Sequence, residues 1–199
     1  MRRFPILTLA LLAGIAGLGA TAPAANEALY DAPPPPDAVF VRWLDGDGTP
    51  AALGPVLAPV AGAESEFGHV SASETRGIAP GAHLSVVRAT DGTPVLIQEP
   101  ARDAVGQVHL ILVNAADGPV DLVVAEAGAV VLADVAPFTS EVRAVNPVSA
   151  DLVVQDTRSG NALGHAALHL QRGQDVTLFV SPAGLRVIPD GFGAGPLLP

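Results

Sequence analysis

Ser140-Glu141-Val142-Arg143-Ala144-Val145-Asn146-Pro147-Val148-Ser149-Ala150-Asp151-Leu152-Val153-Val154 has an echo earlier in the chain, at Ser73 to Val87. Laid side by side without gaps, Ser73, Glu74, Arg76, Pro80, Val86 and Val87 fall on Ser140, Glu141, Arg143, Pro147, Val153 and Val154, and Ile78 falls on Val145. Each copy reads as strand, proline turn, strand. A short alternating run is ended by a Pro that removes a ladder donor, and a β-branched run then re-enters a sheet. A register shared over the whole stretch predicts two related β units.

The rest of the chain supports that class. Val39 to Leu44 alternates, with Val39, Val41 and Trp43 on one face and Phe40, Arg42 and Leu44 on the other, both apolar enough to be half buried. Asp45-Gly46-Asp47-Gly48 closes that strand. As a calcium loop it would put Thr49 at position five and Val56 at position twelve, where a bidentate Glu is needed, so it reads as a turn. Asp91-Gly92, flanked by Ala82 to Thr90 and Thr93 to Gln98, is the strongest hairpin signal. Further strands are predicted at Gln107 to Val113, Val120 to Ala125, Ala129 to Ala133, Ala162 to Leu170 and Asp175 to Val180, with turn signals between them. The predicted fold is all-β, two tandem β-sandwiches: residues 26–99 with a proline-rich leader at Pro33 to Pro36, and residues 100–199 with an irregular tail.

Residues 1–25 read as a secretory signal peptide. Arg2 and Arg3 precede an apolar run from Phe4 to Ala20, and Ala22-Pro23-Ala24 offers small residues for cleavage. A retained anchor is the alternative, since the run is just short of the ~20 residues of a spanning helix. Cleavage implies export to the periplasm with no membrane insertion afterwards. The sequence has no Cys, so an exported domain must be stable without disulfides.

Without the signal the chain carries eight Arg, no Lys and twenty acidic residues, a formal charge of −12. Such a chain is repelled by nucleic acid and by anionic lipid or polysaccharide unless a local Arg cluster overrides the field, and no such cluster is visible. No catalytic set emerges either. Ser, His and Asp occur without a Gly-x-Ser-x-Gly elbow. His165 and His169, four apart, share a strand face, but no third ligand is marked by spacing. His69, His83 and His109 lie within strand-like runs and read as hydrogen-bonded or surface side chains. A phosphate-binding glycine loop and a dinucleotide fingerprint are both lacking, so no cofactor is implied.

Several short motifs, taken in order, carry a family resemblance. They are Ala28-Leu29-Tyr30 before the proline step, Ala38 to Arg42, Glu99-Pro100, Val113-Asn114, Arg143 to Val148, and Leu170 to Val180. In this order the chain resembles the AlgF family of periplasmic alginate O-acetylation proteins over nearly its whole mature length. It departs from that family in its acidic, Lys-free composition and in Trp43-Leu44-Asp45-Gly46 after the first strand, which leaves the polysaccharide open. The resemblance implies two tandem β-sandwiches and a role in acetylating an exported polysaccharide with periplasmic and membrane-bound acetyltransferase components. It supplies no catalytic residue.

Three function classes follow: an adaptor linking those components, a carbohydrate-binding module presenting the polymer, and an acetyltransferase or esterase. An enzyme needs a nucleophile with an adjacent base, which the sequence does not mark. A module for a uronate polymer needs exposed aromatics or cations, of which the chain has few. An adaptor needs rigid β surfaces and a partner, and fits the charge best. Partner contacts are assigned to Tyr30, Arg42, Trp43, Arg143 and Asn146, because Tyr, Trp and Arg are enriched at interface hot spots. For Trp43 a core role beside Val39 and Val41 competes, and for Arg143 an ion pair with Glu141 does.

Overall fold

The computed structural model describes residues 34–45, 67–75, 77–104 and 106–189. They form three four-stranded sheets and one 3-10 turn, which meets the all-β expectation. The first sheet has the order β2 (Gly68–Ser71), β1 (Ala38–Trp43), β3 (His83–Arg88), β4 (Pro94–Glu99), with β1 and β3 parallel. The middle sheet has the order β12 (Gly184–Pro189), β11 (Asp175–Ser181), β5 (Val108–Asn114), β8 (Thr139–Val145), with β5 and β11 parallel. The outer sheet has the order β10 (Ala162–His169), β9 (Ser149–Asp156), β6 (Val120–Val124), β7 (Val130–Val135), all antiparallel.

The sequence of β5, Val-His-Leu-Ile-Leu-Val-Asn, explains the layering. A strand with one wet face alternates in polarity, whereas a strand buried on both faces is nearly continuous in apolar residues. All seven residues of β5 are buried. Leu110 and Leu112 join Leu122, Leu152, Val154 and Leu178 in the core between middle and outer sheets. Ile111 and Val113 point the other way, packing with Phe179, Leu44, Val87 and Ile97 against the first sheet. Among the described residues, then, residues before Pro100 supply one sheet, and that sheet is covered by the free face of the sandwich built from the rest.

The two halves of the repeat fold differently. In the second copy β8 leads through Pro147 into β9 and carries the chain from the middle sheet to the outer one. In the first copy a strand was expected before Pro80, and the chain instead makes a 3-10 turn over Ala72–Glu74. Thr75 closes it by donating both its N–H and its hydroxyl to the Ala72 carbonyl. The cause is the neighbour: Ser140 and Glu141 pair with Val113 and Leu112 of β5, so the same residue types are held extended there. The second part of each copy is a strand as expected, β3 and β9. Gly92, at φ 83°, supports the Asp91-Gly92 hairpin between β3 and β4. Gly164 in β10 permits a close approach, since a Cβ there would lie 2.3 Å from Cβ of Leu185 in β12.

A buried polar junction as candidate functional site

Where the first sheet meets the middle sheet, apolar packing gives way to charge. Arg42 falls on the Phe40 and Leu44 face of β1, and that face meets the middle sheet, so its guanidinium is buried at 1% exposure. Burying a charge is tolerated only with partners. Arg42 Nη2 donates to Glu99 Oε1 at 2.7 Å and to Thr177 Oγ1 at 2.7 Å, and its Nε donates to Ser85 Oγ at 3.0 Å. Ser85 in turn donates to Glu99 Oε1 at 2.5 Å. The other Glu99 oxygen accepts from Arg102 Nη2 at 2.6 Å, and Arg102 Nη1 reaches Asp175 Oδ2 at 3.3 Å. His109 ends the chain with Nδ1 2.8 Å from Asp175 Oδ1. Because Nε2 of His109 accepts the Ala104 N–H at 3.3 Å, the imidazole proton sits on Nδ1 and is donated to Asp175.

An aromatic lid accompanies the charges. Arg42 and Arg102 lie over the Phe67 ring at 4.4 and 5.4 Å from its centroid, and His83 stacks on Phe40 and meets Phe67 edge-on. Electrostatics follow from this arrangement. Burial alone would raise the Glu99 carboxyl; the guanidiniums of Arg42 and Arg102 and the Ser85 hydroxyl outweigh it and hold the group below the ordinary carboxylate value. His83 is held below the ordinary imidazole value by burial first and by Arg102 and Arg42 next, with Glu99 and Asp175 opposing.

Among the described residues, those assigned to partner contacts do not come together. Tyr30 lies outside the described residues. Arg42 is inside the junction. Trp43, the next residue, points to the opposite face of β1, half-buried against the cluster of Val39, Val41, Leu84 and Val86, with the Arg88 guanidinium 5.7 Å from its ring centroid. Arg143 is exposed on the edge strand β8 without an ion pair to Glu141, and Asn146 is exposed in the turn that follows. Glu99, Ser85, Thr177, Arg102, Asp175 and His109 were not singled out as a group. The available signal was a polar residue inside an apolar strand, as in Leu84-Ser85-Val86 and Val176-Thr177-Leu178.

A second polar pair lies on the exposed face of the outer sheet, where Ser149 Oγ and His169 Nδ1 are 2.8 Å apart across the β9–β10 ladder. His165 lies on the same strand as His169 and is also exposed. Among the described residues no group of three or more His, Cys, Asp or Glu is placed to hold a metal ion. None of their helices is long and apolar enough to cross a membrane.

No protein-family model matches this chain, and no curated protein does. Among solved structures, it is similar to the C-terminal domain of AlgF from P. aeruginosa, with 24% identity, a TM-score of 0.35, and coverage of 43% of this chain and 97% of that domain.

Proposed function

We propose that this protein is a non-catalytic periplasmic adaptor required for O-acetylation of an exported polysaccharide such as alginate, holding acetyltransferase components together. The observation that carries the adaptor class is how the fold spends its gathered chemistry. Arg42, Ser85, Glu99, Arg102, Asp175 and His109 are hydrogen-bonded to one another at a sheet junction, and the His109 nitrogen that would serve as a base accepts a backbone N–H. A general base needs a lone pair within reach of the proton it takes. The junction braces one β layer against another, which is what a rigid docking platform needs. The acetylation role rests on the ordered sequence motifs that resemble the AlgF family. Net acidity favours a protein partner with a basic patch over an anionic polymer.

The test is a deletion strain of the host together with purified mature protein. Loss of polymer acetylation on deletion, and capture of acetyltransferase components but not polymer by the tagged protein, is the expected result. Sustained turnover of an acetyl ester that a single Ser or His substitution abolishes would replace the adaptor by an enzyme. Tight polymer binding with no protein partner would favour a carbohydrate-binding module.

A further inference from the structure

We infer that Ser149 is a nucleophilic serine, with His169 as its base, that takes one acyl group from an activated ester or thioester on the exposed face of the outer sheet. This inference stands apart from the adaptor reading and uses none of the junction residues.

The register of β9 and β10 builds the pair. Leu170 donates its N–H to the Val148 carbonyl, which makes Val148 and Leu170 a hydrogen-bonded pair and Ser149 and His169 the non-hydrogen-bonded pair beside it. In an antiparallel ladder the side chains of a non-hydrogen-bonded pair stand closest together. The result is the 2.8 Å contact between Oγ and Nδ1. Both side chains are exposed, while Leu152, Val154, Ala166 and Leu170 of the same two strands point into the core and fix the strands beneath them. A nucleophile and a base within hydrogen-bond reach are the two parts that serine acyl transfer requires.

The backbone adds a third element. A residue in a non-hydrogen-bonded pair turns its N–H and C=O away from that partner strand, here toward the side of β6. Asp151, two residues on, does so, accepting the Ala125 N–H. The β6–β9 ladder ends at Val124 and Leu152, so the Ser149 N–H points to the same side beyond the last paired residue. A donor at the nucleophile's own amide is well placed for the oxyanion that forms on attack. Val148, exposed at 52%, offers an apolar surface next to it.

The step balances as follows. Oγ attacks the acyl carbon, the Oγ–C bond forms, and the hydroxyl proton passes to His169 Nδ1. The bond from carbon to the leaving oxygen or sulfur then breaks, the leaving group departs with the electron pair, and it takes the proton from His169. The products are an acyl-serine and a free alcohol or thiol. The alkyl ester formed is far less activated than the donor, so one equivalent accumulates.

The experiment treats purified protein with 4-nitrophenyl acetate and reads nitrophenolate release, intact mass and the acetylated peptide. Release of about one equivalent with a single acetyl group on Ser149 is expected. Ser149→Ala should abolish that modification. His169→Ala should slow it about a hundredfold, within the usual range for general-base assistance. His165→Ala, which removes a neighbouring exposed imidazole, should leave the rate unchanged. Acetyl groups on other residues only, or equal labelling of Ser149 with and without His169, would overturn the inference.

Discussion

The middle sheet is covered on both faces, but by two different kinds of contact. Toward the outer sheet it presents Val108, Leu110, Leu112, Val176, Leu178 and Val180, and the partners are again Val and Leu. Toward the first sheet the cover is mixed, with Ile111, Val113 and Phe179 at one part and the Arg42, Glu99, Arg102 and Asp175 chain at another. Apolar contact is non-directional and roughly proportional to area, so the first face tolerates exchange of one hydrophobe for another of similar volume. Buried charge is directional and all-or-none, since each member is held in place by the next. One face therefore supplies bulk cohesion, and the other sets which orientation of two layers is allowed.

The sharpest way to break this contrast is at Glu99. Glu99→Ala leaves Arg42 buried without its main partner and should cost about 3–5 kcal/mol in urea unfolding. Leu178→Met, in the apolar face, should cost less than about 1.5 kcal/mol. Combining Arg42→Met with Glu99→Leu should cost less than the sum of the two single changes, because the orphaned charges are removed together. Strict additivity would show that the junction does not act as a unit.

A smaller effect is expected where β10 passes over β12. Gly164→Ala places a Cβ 2.3 Å from Cβ of Leu185, so one strand must shift, at about 1–3 kcal/mol. Leu185→Gly in the same chain, which removes the Cβ that is met, should recover part of the loss. A Gly164→Ala protein with an unchanged unfolding midpoint would mean that the outer sheet is looser than the middle one.

The smallest effect is a pH dependence at the junction. His83 has its folded value below the ordinary 6.5, so its contribution is fully present above 6.5 and is lost as the pH falls through the folded value. Glu99 is also lowered, from an ordinary 4.5, and its contribution persists until the pH falls below that. Unfolding midpoints should thus decline in two stages on acidification, His83 first. His83→Phe, which keeps the stacking on Phe40, should remove the earlier stage and leave the later one.

Most strand positions were legible in the sequence because alternation and turn chemistry are local, but β12 was not read from it, and β2 only as a strand-like run at His69. Asp91-Gly92 marked its hairpin, and the uninterrupted run of β5 carried the sign of a strand buried on both faces. The site was less legible. Arg42 was singled out, and its face with Phe40 and Leu44 was read correctly, but whether that face is covered depends on Thr177, 135 residues further on. His169 was singled out and Ser149 was not, and their meeting depends on a ladder register that no local pattern states. The failed strand before Pro80 teaches the same lesson, since residues that match Ser140 and Glu141 curl into a turn where no β5 lies beside them.

Parallel pairing of β5 with β11 has a consequence for the order in which the chain becomes native. Closing the contact between His109 and Asp175, or between Arg42 and Thr177, must wait for the last quarter of the chain, and long sequence separations slow folding. Until β11 arrives, the long edge of β5 has its backbone groups open on that side and an apolar face uncovered, the features that make partly folded β proteins stick to one another. A chain emerging amino terminus first is thus most vulnerable between the appearance of Val108 and that of Val180. A chaperone that engages this protein should hold it over that interval and release it once Thr177 reaches Arg42.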